Sequence, residues 1–276
     1  MTSATITNQN VRPTTADARP ANFIDTLSSE WSKLISLRAT HVTLGLGFAL
    51  SVATTAIVAL AVGSAEGNWS KNFSPITTSM TGNVFAIIVF SVFGALVSSR
   101  EYSNGMIRLT LSATPSRHRV FFAKAIIVGA TMIVVGLATT VAMFLVGQSV
   151  LGAYGRPTAT LADGDAQRMV FGLGLAMAFF PLLGLALGVA LRSSAGAITS
   201  VLGLLWLPQI FGAIIPVWWR ENILCYLPSN GIDSLTAGHI EDSPAFPDPT
   251  LGAFIAAAWL FGMLAFAYVS FLRRDA

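Results

Sequence analysis

The sequence predicts an all-α membrane protein, six transmembrane helices preceded by an amphipathic interfacial helix, and three observations carry that reading. Hydrophobic side chains make up 54% of the 276 residues and charged ones only 11%, against roughly 25% charged in soluble domains. The 16 basic and 13 acidic residues all fall outside six apolar runs, each long enough to cross about 30 Å of hydrocarbon as a helix of about 20 residues. These runs are continuously apolar, so they read as helices that satisfy their own backbone polar groups rather than as barrel strands. The mean hydropathy of +0.68 agrees.

Taken in order, residues 1–21 are rich in Thr, Ala, Asn and Pro and nearly free of large apolar side chains, so they are expected to form a disordered cytoplasmic tail. The pattern changes over 22–38, where Phe23, Ile24, Leu27, Trp31, Leu34 and Ile35 share one helical arc and Asp25, Ser28, Ser29, Ser32, Lys33 and Ser36 lie opposite. Asn22 can cap this helix, with Asp25 three residues on as the second half of a capping box. Such a helix is expected to lie flat in the interface. The six-helix domain then occupies 39–272, with spans at about 42–65, 80–99, 122–151, 169–191, 194–217 and 250–272. The charge-free core of the third begins at Ala125, and the polar stretch Thr77 to Asn83 places the apolar core of the second near Asn83.

Prolines and glycines qualify the fourth and fifth spans. Pro181 lies in the fourth, and Pro208 and Pro216 interrupt the fifth, where kinks are expected. Gly184 and Gly188 have the small-xxx-small spacing, read here as close packing within the chain. Residues 218–249 form the longest outer loop, in which Ile223 to Leu227 is apolar enough to turn back as a re-entrant segment where protein buries it. Six spans put both ends of the chain on one side. Twelve Lys and Arg residues flank that side, among them Arg100, Arg108, Arg117, Arg119 and Lys124, against Lys71, Arg156, Arg168 and Arg220 on the other. This asymmetry predicts cytoplasmic termini in a multi-pass protein of the inner (plasma) membrane.

Several chemistries find no support. His41, His118 and His239 are far apart, no zinc-protease or nucleophile-elbow motif occurs, and Asp163/Asp165 and Glu241/Asp242 lack fixed ligand spacing and read as solvated loop charge. The single cysteine, Cys225, allows no disulfide framework. An ion-coupled carrier usually holds a charged residue within its spans, and the apolar runs contain none. Energy for transport would then come from another chain, because this one lacks a phosphate-binding Gly-x-x-x-x-Gly-Lys-Ser/Thr.

The informative segment is the loop at 100–119. Asn104-Gly105 is a turn signal, the residues that follow can form about two helical turns, and Thr114-Pro115 reads as a cap and first helical residue. The run from Glu101 through Tyr102, Gly105, Met106, Ile107, Arg108 and Leu109, with Pro115 to Val120 and Lys124 beyond it, resembles the cytoplasmic loop of bacterial ABC transporter permeases of the ABC-2 (exporter) class. The resemblance extends to the layout of interfacial helix, six spans and outer re-entrant segment. It implies a coupling helix docked on a nucleotide-binding ATPase subunit, a second permease subunit, and ATP and Mg held by that ATPase. No cofactor in this chain and no nucleic acid is implied. Met106 stands where Thr is common.

On the residues alone, Glu101 and Arg108 offer charge-assisted contacts to a soluble partner while Met106, Ile107 and Leu109 fill its pocket. The loop arginines equally satisfy the positive-inside rule and suit lipid headgroups. Span residues Phe85, Phe90, Met143, Phe144, Met177, Phe179 and Phe180 suit an apolar or amphipathic substrate, although core packing is their commoner role. A non-transporting membrane scaffold or sensor is the alternative reading, with an ion-coupled carrier behind it.

Overall fold

The computed structural model describes residues 22–65, 73–103, 105, 106, 112, 116–211, 214–236 and 249–273, and among these every regular element is a helix. The tail at 1–21 lies outside the described residues. Helix α1 (Phe23–Ser36) begins on the capping box: the Phe23 amide donates to Asn22 Oδ1 at 2.7 Å and the Asn22 amide to Asp25 Oδ2 at 2.8 Å. Leu37, in extended conformation, separates it from α2 (Arg38–Ser64). The short α3 (Pro75–Ser79) is capped by the Ser74 side chain and absorbs the polar residues before α4 (Asn83–Ser103).

Helix α5 (Arg117–Ala153) runs 37 residues and starts after Ser116, two residues later than the Thr114-Pro115 signal predicts. Helices α6 (Gly164–Ala176) and α7 (Phe179–Leu191) make up one span, interrupted at Met177 and Ala178. Proline explains the break: Pro181 has no amide to donate to the Met177 carbonyl four residues earlier. Helix α8 (Ser194–Phe211) is followed by α9 (Val217–Asn222), a 3-10 turn (Leu224–Tyr226), α10 (Pro228–Thr236) and α11 (Pro249–Arg273).

Five described helical stretches, in α2, α4, α5, α6–α7 and α11, are long and apolar enough to cross a membrane, whereas α8 offers only Ser194–Pro208. The expected span at 194–217 is therefore shorter than its apolarity suggests. Pro208 lies inside α8, the helix ends at Phe211, and Pro216 caps α9, so Val217 opens a new element.

Packing between spans relies on small residues, as expected where lipid removes the hydrophobic drive for helix association. Helices α4 and α7 pack most closely. Gly94 lies against the Pro181 backbone, Gly184 against the Ser91 carbonyl, and Gly188 against Ser98, whose hydroxyl donates to the Leu185 carbonyl at 3.1 Å. The Gly184/Gly188 pair thus seals an intrachain seam. A second close approach brings Gly136, halfway along α5, onto the Gly174 carbonyl of α6. Phe90, Met143, Phe144, Met177, Phe179 and Phe180 are buried in the core, and Phe85 is exposed.

The segment after α9 turns back along α11. Ile232 is buried, Gly231 lies against the Gly252 carbonyl, and Trp259 Nε1 donates to the Tyr226 carbonyl at 2.8 Å. Of the apolar stretch that suggests re-entry, Cys225 is buried while Ile223 and Tyr226 are exposed, so α10 supplies the buried surface.

Two predictions follow from this packing. A Cβ at Gly184 meets backbone rather than a movable side chain, so Gly184→Val is expected to destabilise by about 1–3 kcal/mol, the scale of overpacking. A lowered melting temperature in detergent checks it. On α10, burial pushes the Asp233 carboxyl up from 3.8 to about 6. Because folding favours its protonated form, that contribution to stability is present below pH 3.8 and lost as pH rises through about 6. Asp233→Asn should therefore raise the melting temperature at pH 7.5, by an amount that shrinks toward pH 4.

Candidate functional site

Three helix ends converge where the chain enters and leaves the 100–119 loop: the last turns of α1, the last turn of α4 and the first turns of α5. Residues four apart stack along one helical face, so Thr26, Glu30 and Leu34 form a row on α1, and all three are buried. Glu101 ends α4, and Lys124 stands two turns into α5. Lys124 Nζ donates to Glu30 Oε2 at 2.6 Å and to Glu101 Oε1 at 2.7 Å. Lys33 Nζ donates to Glu30 Oε1 at 2.6 Å and lies 3.6 Å from Glu101 Oε1. Two ammonium groups and two carboxylates therefore make a neutral cluster. The Lys124 side chain is 8% exposed, Glu30 4% and Glu101 10%.

Burial by itself would raise the Glu30 carboxyl, but the Lys124 charge and the hydrogen bonds from Lys124 and Lys33 outweigh it and hold the group below its ordinary 4.5. The cluster joins parts of the chain 94 and 23 residues apart. It clamps the two feet of the loop to each other and to α1.

Neighbouring contacts extend the junction. Ser99 and Ser194 hydroxyls meet at 2.9 Å, tying α4 to α8. The Arg192 guanidinium, on the left-handed residue that ends α7, sits 5.0 Å from the Tyr102 ring centroid. Arg117 donates to the Phe271 and Leu272 carbonyls at 3.2 and 3.3 Å, satisfying the end of α11. Both terminal helices thus meet the start of α5 at one end of the bundle.

Of the loop residues singled out in the sequence, Glu101 is turned inward onto Lys124 and away from solvent. Tyr102 is half-buried, Gly105 takes φ 66 to end α4, and Met106 is 43% exposed. Ile107, Arg108 and Leu109 lie outside the described residues. On α1, Ile24, Trp31 and Ile35 are exposed, Phe23 and Leu27 half-buried, and Leu34 buried. The helix therefore carries an outward apolar face beside its bundle-facing row. Glu30 is the cluster residue that the sequence pattern did not isolate, and Lys124, present in the loop motif, carried no ion-pair role there. Their signals were a glutamate beside Leu34 on the α1 wheel and a lysine one residue short of a charge-free run.

Removing one member of the cluster leaves a buried charge uncompensated, which costs about 3–5 kcal/mol. Lys124→Met is expected to destabilise on that scale. The Glu30 contribution is present above pH 4.5 and lost as pH falls through its lowered value, so the wild-type melting temperature should drop between pH 5.5 and 3.5 by more than that of Glu30→Gln.

A family model described as ABC-2 family transporter protein matches residues 26–206, from α1 through most of α8 and across the whole ion cluster. No curated protein matches the chain.

Proposed function

The chain belongs to the ABC-2 transporter family, and from that premise we propose that this permease component is the membrane subunit of an ATP-driven exporter whose ATPase partner docks on the 100–119 loop. The family match makes it a transport component that is not itself catalytic. The observation that carries the finer reading is the Lys124 cluster, because a docking loop transmits force only if its feet are fixed to the helices it is to move.

In this reading the loop faces the cytoplasm, which the Lys and Arg excess on its side supports. Met106 and its neighbours Ile107, Arg108 and Leu109 contact the ATPase, which holds ATP and Mg. Glu101 acts as a positioning residue: its carboxylate fixes the loop to Lys124 and, through it, to Glu30 of α1. ATP-driven closure of the partner then moves the ends of α4, α5 and α1 together. A second permease subunit completes the path, and the uncharged spans suit an apolar or amphipathic substrate.

The protein extracted from its native membrane in mild detergent is expected to bring a stoichiometric subunit with a Walker motif and vanadate-sensitive ATP hydrolysis. Gly105→Val, whose Cβ meets no described atom within 4 Å but whose left-handed backbone costs about 1–2 kcal/mol, should weaken that association while membrane insertion persists. Failure to recover an ATPase under several gentle extractions would overturn the exporter reading in favour of a scaffold.

A further inference from the structure

Tyr102, in the last turn of α4, carries a polar atom that the protein leaves unmet. Its hydroxyl is buried and has no hydrogen-bond partner among the described residues, an arrangement that folded chains avoid unless water or an ion completes it. The Arg192 guanidinium lies over the ring, 5.0 Å from its centroid, and limits where the hydroxyl can turn. A cavity of about 10 Å³ adjoins Tyr102, between α4, α5, α7 and α11. Apart from Tyr102, every residue that lines it is buried, so it is a space inside the bundle rather than a fold of its surface. A single water needs about 10–15 Å³ of such space, and two to four polar partners within it.

Those partners line it. Lys124 Nζ has three N–H bonds to give, and among the described residues it gives two, to Glu30 Oε2 and Glu101 Oε1. The third is left for the cavity, which Lys124 also lines. Glu101 meets Lys124 and Lys33 through Oε1, so its Oε2 is left to accept from the same space. We propose that the cavity holds one ordered water that accepts from Lys124 Nζ and from the Tyr102 hydroxyl and donates to Glu101. An ion suits the place less. The Lys124 ammonium repels a cation and the Glu101 carboxylate an anion, whereas water is acceptor and donor at once. Two successive residues then tie the end of α4 to Lys124, Glu101 directly and Tyr102 through the water. Tyr102 is thereby a positioning residue of the junction, turned inward and away from any surface offered to an ATPase. The water site belongs to this chain alone and stands or falls independently of the exporter reading.

The test is a structure of the full chain at about 2 Å, for the wild type and for Tyr102→Phe, with thermal unfolding of both in detergent. The wild type is expected to show one peak within about 3.2 Å of both Lys124 Nζ and Tyr102 Oη. In Tyr102→Phe the ring should stay in place while the peak weakens or disappears. The melting temperature should fall by about 2–4 °C, the scale of one net hydrogen bond in a chain of this size. A melting temperature that Tyr102→Phe leaves unchanged or raises would mean a hydroxyl bonded to nothing, and would overturn the proposal. So would a cavity without a peak where the side chains around it are well resolved, or a Tyr102 hydroxyl bonded directly to protein. In crystals grown with bromide in place of chloride, an anomalous signal at the peak would overturn water in favour of an anion.

Discussion

An ammonium group two turns inside an apolar helix must be paired where it lies, and the requirement of Lys124 for two carboxylates organises one whole end of this protein. Neither acid is local to it: Glu30 comes from the interfacial helix and Glu101 from the end of the preceding span. Meeting that requirement fixes where α1 lies, how α4 ends and where α5 starts. Arg117, two helix turns earlier, adds the end of α11 to the same junction. The charges that set the topology of a membrane protein usually stay at its surface; here a few of them turn inward and become its fastening.

The rest of the bundle is held by a different kind of force. Along the middle of the α4–α7 seam, glycines let the backbones touch and the Ser98 hydroxyl bonds across to the Leu185 carbonyl. Dispersion and shape hold this half, and neither depends on pH or salt. The charged junction is sensitive to both.

Much of this was legible in the sequence. Five of the six charge-free runs fall on described helices long and apolar enough to cross a membrane, and the Asn22/Asp25 box marks the start of α1. Local signals failed where the deciding partner was distant or the rule competed with another. Apolarity carries the expected fifth span to 217, whereas the helix ends at Phe211 with Pro208 inside it and Pro216 opens the next element. The break at Met177 comes from a proline four residues on, so the kink falls before its cause. Glu30 belongs to neither arc of the α1 wheel as first drawn, because a pattern of apolar against polar residues has no place for an acid that faces a buried lysine. No local rule reaches across the 94 residues between them.

The length of α5 has a mechanical meaning. Its 37 residues extend about 55 Å at 1.5 Å per residue, nearly twice the roughly 30 Å of hydrocarbon it crosses. Near its midpoint, Gly136 lies against the backbone of α6 at Gly174. A rigid rod with a fulcrum at its centre is a two-armed lever. A tilt of about 10° there carries each tip about 5 Å, in opposite directions on the two sides of the membrane. Motion delivered at Arg117 and Lys124 would then arrive inverted at Ala153, with no hinge inside the helix.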